Sequence, residues 1–314
     1  MNARAPLRLL LGPQRPVVNL GKAMTAAGVG DGRIAVISAA WQEAEGDIDD
    51  IRALVDNELY DLPLYRRAEA LFAADKPLHE AYRNRQDQLI EQQNMYRLRL
   101  RQLTIAAREI LRAEGNAAAI AEERRHAISQ LRALDRHHLR QINKIYERFG
   151  EFFDTDRSRL LAEHIAAIEH DLDGSNTVLI TGGNVVVLMN RLQLFGLGPA
   201  LGRMNIVGWS AGAMVLCDRI VLFHDRMPQG RRDPEVMCDG LGIVPGTVLL
   251  PNAKNRLRTR ETVRSSLFSR RFAPATCLTL DNESMLLMQD GKVRDSESVR
   301  HIARDGKFAR VKVA

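Results

Sequence analysis

The sequence is poor in cysteine. Cys217, Cys238 and Cys277 are odd in number, far apart and without zinc-site spacing, so neither a disulfide framework nor a zinc site is expected. That usage points to a reducing compartment, and the sequence calls for no cofactor and no metal. Long apolar runs are also missing. Leu9-Leu10-Leu11, behind Arg4 and Arg8, is stopped by Gly12-Pro13. The run is too short for a secretory signal or a membrane span, so a cytoplasmic protein without a membrane partner is expected. Proline and glycine almost vanish between Pro77 and Phe152, which excludes a loop-rich segment there and leaves Gly115-Asn116 as the one clear breaker.

What fills that stretch is heptad-like. Tyr82, Leu89, Tyr96, Leu103 and Ile110 recur every seven residues. After the breaker, Ile128, Leu131, Leu134, Leu139, Ile142, Ile145, Phe149 and Phe152 resume helical spacing. The pattern predicts a long antiparallel, coiled-coil-like helical hairpin over residues 75–152, inserted between two parts of a core, 1–74 and 153–314. Fifteen basic and ten acidic residues lie in 75–150, so most of the formal net charge of +6 sits in the hairpin. Such an excess is ordinarily a solvated face. An acidic partner, nucleic acid included, is the less favoured reading, and no base-reading motif accompanies it. The second apolar stripe of so long a hairpin points to a homo-oligomer or a protein partner.

The rest alternates strand and helix signals. Leu7–Leu11, Ile34–Ser38, Thr177–Thr181, Asn205–Gly208, Ile220–Phe223 and Thr247–Leu250 read as strands. Asp47–Val55, Val185–Leu194 and Ala213–Cys217 read as helices. This order predicts an α/β fold with a mostly parallel, doubly wound sheet. Hairpins around Asp290-Gly291 and Asp305-Gly306 are expected to extend its edge in antiparallel fashion.

Chemistry concentrates at two loops. Ile206-Val207-Gly208-Trp209-Ser210-Ala211-Gly212-Ala213 is a strand, a Gly-x-Ser-x-Gly turn and a helix start, the layout of a nucleophile elbow. It would lift the Ser210 hydroxyl above the sheet and aim the Ala211 amide beside it, as acyl transfer requires. Thr181-Gly182-Gly183-Asn184 ends the preceding strand. Its glycines admit a ligand close to the backbone, and Asn184 is placed to cap the next helix. Trp41, after the second strand, either walls the pocket or packs in the core.

Together with Gly240–Gly246 and Asp281-Asn282-Glu283-Ser284, these segments resemble the dipeptidase E and cyanophycinase family of serine peptidases. The resemblance spans residues 170–295, and 5–65 more weakly, leaving the hairpin outside. It implies a class I glutamine-amidotransferase-like fold, Ser210 as nucleophile, Gly183 and Ala211 as oxyanion donors, and a small peptide or amide substrate near Asn184, Trp41, Asn252 and Arg258, where Arg256 and Arg258 either bind a substrate carboxylate or belong to a surface basic helix. Two positions depart from the family. Asn252 stands where the family histidine is expected and Asn282 where its acid is expected. A carboxamide has no titratable nitrogen to take the serine proton. No histidine stands between Asp225 and Arg300; His224 and His301 are the two after Ser210, and His224, at the end of the strand after the elbow helix, is either a relocated base or a polar strand-end residue. The reading is a serine-peptidase-like hydrolase. The alternative is a catalytically degenerate relative that binds or assembles through its hairpin.

Overall fold

The structure is a computed structural model that describes residues 5–152, 158–223 and 233–313. Its strands are β1 (Arg8–Leu11), β2 (Ile34–Ile37), β3 (Leu59–Asp61), β4 (Thr177–Ile180), β5 (Asn205–Trp209), β6 (Arg219–Leu222), β7 (Glu235–Asp239), β8 (Thr247–Pro251), β9 (Thr276–Leu280), β10 (Met285–Gln289), β11 (Lys292–Glu297), β12 (Arg300–Ile302) and β13 (Phe308–Arg310). The helices are α1 (Leu20–Ala26), α2 (Asp49–Arg52), α3 (Leu64–Ala74), α4 (Lys76–Arg112), α5 (Ala117–Phe152), α6 (Arg159–Asp173), α7 (Val185–Leu194), α8 (Gly198–Arg203), α9 (Ala211–Met214), α10 (Ala253–Arg256) and α11 (Thr262–Phe272). Among the described residues, no helix is long and apolar enough to cross a membrane.

The central sheet has the order β11-β10-β1-β5-β4-β2-β3. The five strands from β1 to β3 are parallel. The runs Leu9–Leu11, Ile34–Ile37 and Val178–Ile180 are buried throughout, because helices cover both faces of a parallel sheet. The hairpin around Asp290-Gly291 does extend the sheet edge: β10 pairs antiparallel with β1, and β11 with β10.

Not every strand joins this sheet. β8 and β9 pair in parallel inside a separate four-stranded sheet ordered β13-β12-β9-β8. The hairpin around Asp305-Gly306 therefore extends the smaller sheet, not the central one. β6 pairs antiparallel with β7 as a two-stranded ribbon. A strand's own side chains report its burial but not its neighbour, which is why the single sheet expected from the pattern divides. The helix expected over 47–55 shortens to the four residues of α2, where Ile48 and Ile51 are buried.

α4 and α5 form an antiparallel pair about 55 Å long at 1.5 Å per residue. The Asp75 carboxylate caps α4 by accepting from the Leu78 amide at 3.0 Å, and Pro77 sits in the first turn, where no amide is needed. Asn116 opens α5 by accepting from the amides of Ala118 and Ala119 at 3.1 and 3.2 Å. The pair lies on the core along α11 and β7. Arg271 of α11, only 4% exposed, donates to both carboxylate oxygens of Asp135 in α5, at 2.7 and 2.6 Å. The Tyr96 hydroxyl of α4 donates to Asp135 at 2.8 Å, while accepting from Arg271 at 2.6 Å and from the Val236 amide of β7 at 3.1 Å. Arg97 pairs with Glu235 at 2.7 Å, and Arg108 with Asp233. Part of the second apolar stripe of the hairpin is thus satisfied by its own chain.

Candidate active site

The carboxyl ends of β1, β2, β4 and β5 meet at one cleft of about 680 Å³, where an open parallel sheet places ligands. Ser210 sits at its floor with φ 49° and ψ −111°, a conformation a non-glycine residue holds only where the surroundings enforce it. Its own amide donates to the Leu11 carbonyl at 3.1 Å, and its carbonyl accepts from the amides of Ala213 and Met214. The two flanking glycines make the turn sterically feasible. A Cβ on Gly212 would lie 2.1 Å from the Ile180 carbonyl oxygen, and one on Gly208 would lie 3.0 Å from that of Gly212. The side chain of Ser210 is left half-exposed in the cleft, and among the described residues its hydroxyl has no hydrogen-bond partner.

The second loop backs against the first. The Thr181 amide donates to Ile37 and the Asn184 amide to Ala40. Gly183 turns with φ +137°, and a Cβ there would meet the Ala40 carbonyl oxygen at 2.7 Å. Trp41 lines the cleft, and its indole N–H donates to the Gly182 carbonyl at 2.9 Å, bracing this loop from outside. Trp41 does both of the things expected of it, lining the cleft and packing against the core. The amides of Gly183 and Ala211 carry no hydrogen bond among the described residues, and both residues line the cleft.

The remaining expected positions divide. Asn252 lines the cleft in a left-handed conformation (φ 59°, ψ 38°) at the start of α10. Asn184 is not among the lining residues: its carboxamide oxygen is taken up in capping α7, accepting from Val186 at 3.0 Å and Val187 at 3.2 Å. Arg258 is also outside the lining, where it bonds Glu261 at 2.9 Å. α10 ends at Arg256 and Leu257 turns into extended backbone, so it is Arg256 that reaches the cleft. Its guanidinium lies over the Phe223 ring at 5.9 Å, and burial pulls its pKa down from the ordinary arginine value. His224 lies outside the described residues. It follows Phe223, itself a lining residue, in the sequence.

Asn282 has a structural task. Its amide nitrogen donates to the carbonyls of Pro13 at 2.7 Å and Val17 at 2.9 Å, and its oxygen accepts from the Val17 amide at 3.3 Å. It thereby pins the 13–17 loop, whose Pro13, Gln14 and Arg15 form one rim of the cleft. Asp281, 4% exposed, accepts at 2.8 Å from the amide of Lys254, two residues after Asn252. Its other oxygen is buried without a hydrogen bond and lies 3.8 Å from Arg300. The 13–15 rim and the Asp47 and Asp50 wall escaped the sequence reading. None stands in a motif, and only tertiary folding brings them to Ser210.

A nucleophile elbow over a parallel sheet, with unpaired amides beside the serine, defines a peptidase-like hydrolase class. Within that class the chain belongs to peptidase family S51, the dipeptidase E and cyanophycinase family, whose profile matches residues 133–296. The match begins inside α5, so the second arm of the hairpin is not wholly outside the family pattern, as had been expected from the motifs alone. Comparison with curated proteins gives no significant match. Among solved structures, the crystal structure of a peptidase from an acI-B1 Actinobacterium is similar at 13% identity, covering 96% of this chain and 92% of that one, with a TM-score of 0.45.

Proposed function

We propose that this protein is a serine hydrolase of a small peptide or amide, with Ser210 as nucleophile and His224 as its base. The observation that carries the reading is the enforced backbone of Ser210 beneath an open cleft, with the Gly183 and Ala211 amides unpaired beside it. In the reaction Ser210 Oγ attacks the scissile carbonyl carbon and its proton passes to His224. The carbonyl oxygen, now anionic, accepts from the two amides. Collapse breaks the C–N bond, and the leaving amine takes the proton back from His224. Water then hydrolyses the acyl-serine by the same route. Arg256, which has no carboxylate partner among the described residues, suits a substrate carboxylate, with Trp41 and Asn252 also lining the cleft.

A second reading is favoured by one observation: Asn252, at the position where the resemblance expects the family histidine, lines the cleft. In it the site binds without turnover and the hairpin supplies the function. A fluorophosphonate probe on wild type, Ser210→Ala and His224→Ala separates the two. Labelling that is lost in both variants supports the hydrolase. Wild-type labelling no greater than that of Ser210→Ala supports the binding protein.

A further inference from the structure

We propose that the outer face of α4 is a two-fold interface whose occupant is a second copy of this chain. Seven residues, Arg83, Asp87, Ile90, Asn94, Leu98, Arg101 and Ile105, are all exposed and fall on one stripe of the helix. The stripe turns away from α5, since Tyr82, Arg85, Tyr96, Leu100, Thr104 and Ala107 between them are buried. Ile90, Leu98 and Ile105 are 58%, 64% and 41% exposed, a row of large aliphatic side chains that no element among the described residues covers.

The spacing of the stripe is the same read forwards or backwards from Asn94. A second α4 laid antiparallel, with the two-fold axis at Asn94, sets Ile90 against the partner subunit's Leu98 and Asp87 against the partner subunit's Arg101. Both contacts occur twice, as a closed two-fold interface requires. Asp87 and Arg101 form no ion pair within their own chain among the described residues, so both charges are available. The axial Asn94 is a polar residue of the kind that fixes helix register. The inference is independent of the chemistry at Ser210.

Sedimentation velocity of the full chain from about 1 to about 100 µM is the test. Wild type is expected to be dimeric and Ile90→Asp/Leu98→Asp monomeric. Circular dichroism should be unchanged, since both residues are exposed. Asp87→Arg and Arg101→Asp are each expected to weaken the dimer by about tenfold, and the double reversal to return it to within about threefold of wild type. Asn94→Cys should cross-link to its own copy under mild oxidation, whereas Arg99→Cys, on the far side of the stripe, should not. The native cysteines are all buried and leave the background low. A wild type that stays monomeric at the highest concentration overturns the proposal. So does a dimer indifferent to these substitutions, or one cross-linking equally at both positions.

Discussion

Replacing Asp135 by leucine should be among the most damaging single changes in the protein, although it lies far from Ser210. The carboxylate accepts two hydrogen bonds from Arg271 and one from Tyr96. With it gone, Arg271, 4% exposed, keeps as hydrogen-bond acceptors among the described residues the Pro234 carbonyl at 2.7 Å and the Tyr96 hydroxyl, with Asp233 as the remaining carboxylate acting on its charge. Breaking a buried pair on one side costs about 3–5 kcal/mol, because the other charge stays desolvated. Folding stabilities run to about 5–15 kcal/mol, so roughly a fifth or more of the total is at stake. Urea denaturation reads the loss. With a slope of about 2–3 kcal/mol/M, the midpoint should fall by about 1–2.5 M. Asp135→Leu/Arg271→Met removes both charges and should be less damaged than Asp135→Leu alone. A single-variant loss below about 1 kcal/mol, or a double variant as costly as the two singles added together, would refute the account of how the hairpin is held to the core.

Three further outcomes are expected. Burial lowers the pKa of His138, stacked on Tyr96 at 4.1 Å, to about 4. The unfolded chain therefore takes up this proton first, so stability is full above about pH 6.5, falls as the pH drops from there to about 4, and loses on the order of 3 kcal/mol in all. Urea titrations of His138→Phe should show a shallower fall over that window. Asn252→His puts an imidazole at the cleft on a residue type that tolerates φ 59°, two residues before Lys254, whose amide donates to the buried Asp281 carboxylate, and fluorophosphonate labelling should rise by about tenfold or more. An unchanged rate would show that this position is not where a base is needed. Gly212→Ala drives a Cβ to 2.1 Å from the Ile180 carbonyl oxygen and should cost more than about 2 kcal/mol, together with all labelling.

How much of this could be read from the sequence depended on whether the information was local. The buried runs of β1, β2, β4 and β5 announced themselves because both faces of a parallel strand need apolar side chains. The elbow was legible because its glycines answer to atoms a few residues away or on the adjoining strand. The capping role of Asn184 was equally visible, and that role is what removes its side chain from the cleft. Arg256 and Arg258 look alike in sequence, and only the end of α10 between them decides which one reaches the cleft. The partners of β6 and β8, the loop held by Asn282 and the Asp135–Arg271 pair join residues tens to hundreds of positions apart, and no short pattern encodes them.

The crowding around Gly208 and Gly212 has a consequence for how this motif should be weighed. Those glycines are demanded by the junction of β5 with α9, so they would be retained under selection for folding alone, with or without turnover. The Ser210 side chain answers to no such demand, since no described residue bonds its hydroxyl. In a lineage released from catalysis, the serine is therefore the letter of the motif free to drift, while the two glycines would stand as a fossil of the elbow.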